Sequence, residues 1–351
     1  MFWFLLLAVV LITWFHLRGE DLSPYDWPRG ESFSNGEPPS EEHRAVVQQL
    51  SSGMGALNGG PRRERLARVR NYLDSMSDGR DLDAAFKPVD ASGVAAEWVL
   101  APGADPDRRV LYIHGGAFMM GSPKSHRNIT SNFSRVARAA VLAIDYRLMP
   151  EHSRKEGIAD CRQAYRWLVN NGPDGPAAAD RIVVAGDSAG GNLTLSLTGW
   201  LRSQPLRQPD AAVALSPLTD ATLVSPSWIT NRETDAMLGP LFGRLAKVPR
   251  PLLWWVSWFQ NRITPRDPSV SPAFGDLSGL PPTLVQASEA EMLLDDARRY
   301  ANKAVAHGSS VKLQTWPHVM HVWQIFHPEL TEARQAWEQI EAFVAEIDAS
   351  K

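Results

Sequence analysis

The chain is organised around the stretch Arg181-Ile-Val-Val-Ala-Gly-Asp-Ser-Ala-Gly-Gly-Asn192. It opens with a short β-branched apolar run, turns at a glycine-rich segment, and continues into residues up to Leu201 that favour a helix. This order predicts a strand, a sharp turn and a helix. The turn places Ser188 in the pattern G-x-S-x-G, which lifts a serine hydroxyl out at the end of a parallel strand. The alternative is an ordinary serine at a helix N-cap.

Short apolar segments alternate with helical patterns over most of the 351 residues. The sequence predicts a hairpin over 86–100 and strands at 109–113, 140–145, 211–215, 283–287 and 311–316. It predicts helices at 41–57, 61–76, 125–139, 158–169, 293–307 and 329–347. Such alternation indicates an α/β fold, with a mostly parallel central sheet covered by helices on both faces.

Composition excludes several classes of partner. The formal net charge is only −3, so no nucleic-acid partner is indicated. The single cysteine, Cys161, cannot form an internal disulfide or a cysteine metal cluster, and its place in an apolar-periodic run predicts a core residue. We therefore expect neither a metal site nor a cofactor, and the oligomeric state is left open.

The N-terminus is a separate feature. Residues 1–17 are uncharged and apolar, with Trp3 and Trp14 near the two edges, as interfacial anchors would be. No lysine or arginine precedes the run and no small-residue cleavage site follows it. These features predict an uncleaved membrane anchor and a membrane-associated protein, with the side of the membrane open. The alternative is an apolar helix that docks on the rest of the chain.

The strand rhythm breaks at residues 219–265, where no strand is predicted. This interval carries a cluster of aromatic residues at near-helical spacing, namely Trp254, Trp255, Trp258 and Phe259. An insertion after a strand end lies where such sheets bind ligands. The aromatic cluster therefore either packs against the domain or forms a hydrophobic lid or a membrane-facing patch.

A serine becomes a nucleophile only with a base, a group that orients the base, and donors for the oxyanion. The candidate donors lie in the stretch His114-Gly-Gly-Ala-Phe118, directly after a predicted strand. It matches a loop type whose backbone N–H groups join the N–H of the residue after the serine. The predicted donors are Gly115, Gly116 and Ala189.

With these motifs the chain resembles the hormone-sensitive-lipase-like family of α/β-hydrolase carboxylesterases, over nearly all of residues 110–327. The resemblance also extends to DYRLMPEH at 145–152, SPLTD at 216–220, DPSVSP at 267–272 and GLPP at 279–282. It implies an α/β-hydrolase fold with a helical cap formed by the N-terminal helices and the 219–265 insertion. The expected division is an anchor at 1–17, a linker with cap helices at 18–85, and a catalytic domain at 86–351.

The resemblance implies a histidine base on the loop after the last strand. That segment contains His318, His321 and His327, and the family pattern of histidine, an apolar residue and an aromatic fits His321 best. His318 then reads as a loop residue and His327 as a residue at a helix start. A metal site at the His-x-x-His pair is disfavoured because no cysteine or nearby carboxylate accompanies it.

The acid departs from the family pattern. Relatives usually carry Asp-x-Leu-x-Asp-[Asp/Glu] after the penultimate strand, and this chain has Glu291-Met-Leu-Leu-Asp-Asp296. Ungapped matching implies Glu291 as the triad acid, and glutamate does serve in this place. Glu289 stays open as the alternative. Asp295 and Asp296 are expected to begin the next helix, where carboxylates suit the dipole.

The predicted function is that of a serine carboxylesterase or lipase. It would hydrolyse apolar carboxylic esters of short to medium acyl length through an acyl-enzyme formed on Ser188. Two alternatives remain from the sequence: a catalytically silent ligand-binding scaffold, and an amide or lipid deacetylase with the same triad.

Overall fold

Nine strands of the described residues form one sheet in the computed structural model, which describes residues 2–34, 36, 38–56 and 61–350. A separate two-stranded ribbon is formed by β6 and β7. The strands are β1 (Glu31–Ser32), β2 (Ala85–Asp90), β3 (Ala95–Leu100), β4 (Asp105–Ile113), β5 (Ala139–Ile144), β6 (Asn171–Gly172), β7 (Gly175–Pro176), β8 (Arg181–Asp187), β9 (Ala211–Leu215), β10 (Thr283–Ser288) and β11 (Val311–Trp316).

Eleven α-helices of the described residues accompany this sheet. They are α1 (Phe2–Ile12), α2 (Glu41–Ala56), α3 (Arg65–Ser75), α4 (Arg127–Val136), α5 (Arg154–Leu168), α6 (Ala189–Leu201), α7 (Ser227–Thr230), α8 (Leu238–Phe242), α9 (Arg250–Asn261), α10 (Leu294–Ala306) and α11 (Thr331–Ala349).

The strand order is β1-β11-β10-β9-β8-β4-β5-β3-β2. Only the β2–β3 and β3–β5 pairs of the described sheet are antiparallel, so the prediction of a mostly parallel sheet is confirmed. The sequence does not predict strand β1, because its two residues are too few to show the alternation of apolar and polar side chains that marks a strand. It exists through its pairing with β11, in which Glu31 lies opposite Gln314.

Helices on both faces bury the central strands completely, which explains their continuous apolar character. All residues of β5, β9 and β10 are buried. Helices α4 and α11 pack on one face, where Phe133 and Trp337 meet edge to face with 4.8 Å between ring centroids. Helices α5 and α6 pack on the other face. The carboxyl ends of the parallel strands consequently lie together at one edge.

The turn from β8 to α6 requires glycine for steric reasons. Ser188 itself has φ 52° and ψ −114°, a conformation that strains any residue with a Cβ. A Cβ on Gly186 would lie 2.5 Å from the carbonyl oxygen of Ile113 and 2.6 Å from that of Gly190. The neighbouring strand and helix therefore approach too closely for a larger residue.

The variant Gly190→Ala is expected to destabilise the fold by about 3 kcal/mol or more. Its Cβ would overlap the Ile113 carbonyl oxygen and lie 2.6 Å from that of His114, and backbone atoms cannot rotate away. Urea unfolding measures the effect. Gly199→Ala, in the same helix with no atom within 4 Å of its Cβ, is the control and should be neutral or slightly stabilising. Equal midpoints for both variants would contradict the steric explanation.

The structure of the N-terminal segment does not support the predicted membrane anchor at 1–17. In the described part of the chain no helix is long and apolar enough to cross a membrane. Helix α1 has 11 residues and is followed by a π-helical turn over Thr13–Leu17.

The N-terminal turn docks on α9, which agrees with the alternative of an apolar helix packed on the domain. Trp255 donates its indole N–H to the hydroxyl of Thr13 over 2.8 Å, and His16 meets the Trp258 ring edge on. Beyond this contact, many large apolar side chains of α1 and the following turn are exposed. They are Trp3, Phe4, Leu6, Leu7, Val9, Val10, Leu11, Trp14 and Phe15.

Candidate active site

Three loops meet at the carboxyl edge of the sheet. One is the turn from β8 to α6, one follows β10 and one follows β11. Since β8, β9, β10 and β11 are parallel neighbours, their carboxyl ends are adjacent. Residues that are far apart in the sequence, such as Ser188 and His321, therefore come within hydrogen-bonding distance.

The structure brings Ser188, His321 and Glu291 together in one hydrogen-bonded row. The Ser188 hydroxyl lies 2.8 Å from His321 Nε2, and His321 Nδ1 lies 2.6 Å from Glu291 Oε2. The other carboxylate oxygen of Glu291 accepts the backbone N–H of Ser288 over 2.9 Å. Both ends of the carboxylate are thus held, and the longer side chain of glutamate fits the loop.

Burial and charge pairing act on this row. Burial raises the pKa of the Glu291 carboxyl, although the hydrogen bond from His321 opposes that rise. Burial disfavours the charged form of His321, but the hydrogen bond and the charge of Glu291 outweigh it, and the pKa of the imidazole is raised. A raised pKa makes His321 a stronger base than a free imidazole.

The alternative residues lie elsewhere. Glu289 is exposed, and its Oε1 accepts the hydroxyl groups of Ser32 and Thr315 over 2.6 and 2.8 Å. His318 is exposed, and the carbonyl of His327 accepts an amide hydrogen from Asn128. None of these three side chains takes part in the hydrogen-bonded row.

One predicted oxyanion donor is wrong. The backbone N–H of Gly115 donates to the Asp187 carboxylate over 3.0 Å, so it is not free for a substrate. Gly116 and Ala117, the next two residues, line the cavity at Ser188 with φ angles of 116° and 53°. Among the residues that the structure describes, none accepts a hydrogen bond from the N–H of Gly116, Ala117 or Ala189. Ala117 therefore replaces Gly115 as a candidate donor.

Asp187 holds this loop, a role that sequence reasoning missed. It accepts the Tyr112 hydroxyl over 2.5 Å and lies 3.4 Å from His126 Nε2. Burial alone would raise the pKa of Asp187, but the contacts with His126 and Tyr112 outweigh burial, and the pKa of Asp187 is lowered. The pKa of His126 is raised, because its pairing with Asp187 outweighs its own burial. The available signal was a carboxylate at the end of an otherwise apolar strand.

A family model described as alpha/beta hydrolase fold matches residues 110–325, more than half of the chain. The chain belongs to this family. An acetyl-hydrolase of Streptomyces hygroscopicus is 38% identical over 251 residues, which cover 71% of this chain and 79% of that protein. An esterase of Acinetobacter venetianus is 34% identical over 263 residues, which cover 75% of this chain and 82% of the relative.

Solved structures agree with these relatives. An esterase from the bacterial hormone-sensitive lipase family is 34% identical, with a TM-score of 0.75, over 88% of this chain and 99% of that one. The esterase EstE5, soaked with p-nitrophenyl butyrate, has a TM-score of 0.75 at 33% identity over the same shares. The predicted resemblance and the α/β-hydrolase fold are thereby confirmed, and the protein is a carboxylic ester hydrolase.

The esterase has a cavity of about 150 Å³ above Ser188. Its lining includes Ser188, His321, Gly116 and Ala117. Much of the remaining lining is apolar and comes from the N-terminal helices and from the segment around α8. These residues are Leu50, Val69, Tyr72, Leu73, Met76, Ala236, Met237, Leu238, Leu241 and Phe242. The N-terminal helices and part of the 219–265 insertion thus both border the cavity of this esterase.

The aromatic cluster of α9 does not line that cavity. Trp254 is buried and donates its indole N–H to the Thr222 carbonyl over 2.9 Å. Trp255 and Trp258 contact the N-terminal segment, and Phe259 is exposed. The expected lid at α9 is therefore wrong for this cavity, because residues 236–242 supply its apolar wall while Trp254, Trp255 and Trp258 pack within this esterase.

Asp295 and Asp296 lie in the first turn of α10, as expected, and they also hold the insertion. Asp296 accepts the backbone N–H groups of Thr219 and Asp220 over 2.9 and 3.0 Å, and Asp295 accepts that of Ser227. Burial and the nearby Asp220 raise the pKa of Asp296 to about 7. The two carboxylates fix the base of the insertion in this esterase.

Proposed function

We propose that this esterase hydrolyses apolar carboxylic esters of short to medium acyl length, with Ser188 as nucleophile, His321 as base and Glu291 as the acid that orients the base. The observation that carries the proposal is the row from Ser188 through His321 to Glu291, with distances of 2.8 and 2.6 Å, at the floor of an apolar cavity. Such a row activates a serine hydroxyl.

In the first half of the reaction the Ser188 oxygen attacks the ester carbonyl carbon, and its proton passes to His321 Nε2. Glu291 keeps the proton on Nδ1 and stabilises the imidazolium. The N–H groups of Gly116, Ala117 and Ala189 are our candidates for the oxyanion. His321 then protonates the leaving alkoxide, and an acyl-enzyme remains. Water attacks that ester with His321 as base, which releases the acid and restores the serine.

The substrate class follows from the cavity lining. About 150 Å³ of mostly apolar space accommodates an acyl chain of limited length, and a polar head would lose its hydration there. The relative EstE5 was soaked with p-nitrophenyl butyrate, an ester of this kind. A series of 4-nitrophenyl acetate, butyrate, octanoate and palmitate esters should give the highest kcat/KM at acetate to octanoate. A maximum at palmitate would contradict the size limit.

Labelling with a fluorophosphonate probe tests the nucleophile. We expect stoichiometric labelling of wild type and none of Ser188→Ala. Ser125→Ala is the matched control, because Ser125 lines the same cavity but does not contact His321 in the structure, and its label should be retained. A folded wild type that takes no label would favour the silent binding scaffold. A 4-nitroanilide cleaved as fast as the matched 4-nitrophenyl ester would favour the amidase alternative.

A further inference from the structure

A second cavity, of about 120 Å³, lies beside the catalytic one. Its lining includes Phe118, which directly follows the oxyanion-loop residue Ala117. It also includes Leu218, whose backbone N–H donates to the Ser188 carbonyl oxygen over 3.3 Å. The second cavity therefore adjoins the residues that surround Ser188.

The unusual member of this lining is Arg154. Its side chain is 6% exposed, at the start of α5. The guanidinium donates to Asn192 Oδ1 over 2.6 Å and lies over the Phe118 ring, 3.1 Å from its centroid. In the described part of the chain no carboxylate forms an ion pair with it. By contrast, the equally buried Arg299 pairs with Asp26 over 2.6 Å.

A buried guanidinium without a counter-charge is costly. Arginine stays protonated in proteins, and an uncompensated buried charge destabilises a fold strongly. Burial lowers the pKa of Arg154 to about 9, which still leaves it charged at neutral pH. One amide oxygen and one aromatic face compensate the charge only in part. An anion bound next to the Arg154 guanidinium would compensate the rest of its charge.

A second polar group of the same cavity lacks a partner. Asn261 donates its amide hydrogens to the carbonyl of Ser257 over 3.0 Å and to its hydroxyl over 3.2 Å. Its Oδ1 is buried and has no hydrogen-bond partner within the described residues. Arg154 thus lacks an anionic acceptor and Asn261 Oδ1 lacks a donor, while most of the other lining residues, such as Met149 and Leu218, are apolar.

We propose that this cavity binds a short hydroxycarboxylate, with the carboxylate on Arg154 and the hydroxyl group donating to Asn261 Oδ1. The binding goes beyond the proposed esterase reaction: binding of a free acid does not depend on the triad, whereas a substrate source rests on the proposed function. The ligand has two sources with the same chemistry: a free hydroxy acid, or the acid end of a substrate whose ester group reaches Ser188. A ligand of several heavy atoms fits the volume, and its short apolar segment would meet Phe118.

Calorimetric titration with 3-hydroxybutyrate, butyrate and neutral butyramide tests the site. We expect wild type to bind 3-hydroxybutyrate most tightly, butyrate less tightly and butyramide least. Arg154→Gln should weaken binding of both acids about 10- to 100-fold, the usual worth of a charge-assisted hydrogen bond. Asn261→Leu should remove the preference for the hydroxy acid and keep the binding of butyrate.

Two further variants separate binding from folding. Arg154→Lys keeps the charge and should retain part of the affinity even if Asn192 repacks. Arg162→Gln, on the same helix but outside the cavity lining, is the matched control and should bind as wild type does. Failure of folded wild type to bind either acid, or equal binding by wild type and Arg154→Gln, would overturn the proposal whatever the outcome of fluorophosphonate labelling.

Kinetics distinguish the two sources once binding is established. The substrates are 4-nitrophenyl butyrate and the mono-4-nitrophenyl ester of glutaric acid, which carries a carboxylate at its far end. If the acid belongs to the substrate, Arg154→Gln lowers kcat/KM for the glutarate ester selectively, by about 10-fold or more. If the ligand is free, the variant treats both esters as wild type does, while the calorimetric loss persists. Each result supports the site and assigns its source.

Discussion

The variant Ser188→Ala is expected to lower kcat for 4-nitrophenyl butyrate by roughly 10⁴- to 10⁶-fold. The hydroxyl at 2.8 Å from His321 Nε2 is the group that would form the acyl-enzyme, and alanine leaves no nucleophile at that position. The cavity walls and the candidate oxyanion donors remain, so KM should change little. Initial rates with purified wild type and variant measure the effect.

Residual activity of Ser188→Ala is expected, and the folding of the variant must be checked separately. The candidate donors of Gly116, Ala117 and Ala189 would still polarise a bound ester, so a rate above the buffer reaction is expected. Circular dichroism and the urea midpoint should match those of wild type. The fluorophosphonate probe also shows whether the Ser188→Ala preparation contains another serine hydrolase. If an unlabelled preparation of the variant lost less than tenfold in kcat, Ser188 would be ruled out as the nucleophile.

The variant Glu291→Gln is expected to lower kcat by roughly 10³- to 10⁴-fold. The carboxylate at 2.6 Å from His321 Nδ1 accepts a hydrogen bond from the Nδ1–H group, whereas a carboxamide can present an N–H and impose the wrong tautomer. The negative charge that stabilises the imidazolium is lost as well. Steady-state kinetics at the pH optimum of each enzyme measure the change.

Glu289→Gln is the matched control for this variant. The two glutamates are close in the sequence, but Glu289 is exposed and bonded to Ser32 and Thr315. Its substitution should change kcat by less than about threefold, as expected for a surface position without a catalytic contact. A larger loss with Glu289→Gln than with Glu291→Gln would exchange the two assignments.

The pH profile gives the acid a second readout. The base acts only when neutral, so kcat/KM falls as the pH drops through the pKa of His321. Because the Glu291 pairing raises that pKa, the acid limb of wild type should have its midpoint above the usual histidine value of about 6.5. In Glu291→Gln the midpoint should move to lower pH. An unchanged midpoint would mean that Glu291 does not control the protonation of His321.

Local sequence determines much of the fold and part of the candidate site. The turn at Ser188 is readable because Gly186 and Gly190 face backbone atoms that exclude any Cβ. The central strands are readable because burial on both faces makes them apolar throughout, as in β9. The choice of His321 comes from the family resemblance, through a short pattern that follows the last strand of the sheet. In each case the constraint acts within a few residues or within one layer of the sheet.

Other features depend on contacts between distant parts of the chain. Gly115 and Ala117 are two residues apart, and only the Asp187 carboxylate, which takes the Gly115 amide, makes Ala117 the available donor. Glu289 and Glu291 differ because one faces β1 and the other faces His321. The N-terminal run reads as a membrane span by composition, yet its helix is short and its end packs on α9.

The environment of Arg154 also depends on contacts between distant parts of the chain. No motif in the sequence singles out Arg154, and only the packing of Phe118 and Asn192 around it creates a buried charge at a cavity. Short-range steric and apolar constraints therefore determine the strands and the turns, including the turn that carries Ser188. The partner of each polar group depends on which surfaces the whole fold brings together, because a hydrogen bond requires atoms about 3 Å apart and sequence distance carries no such information.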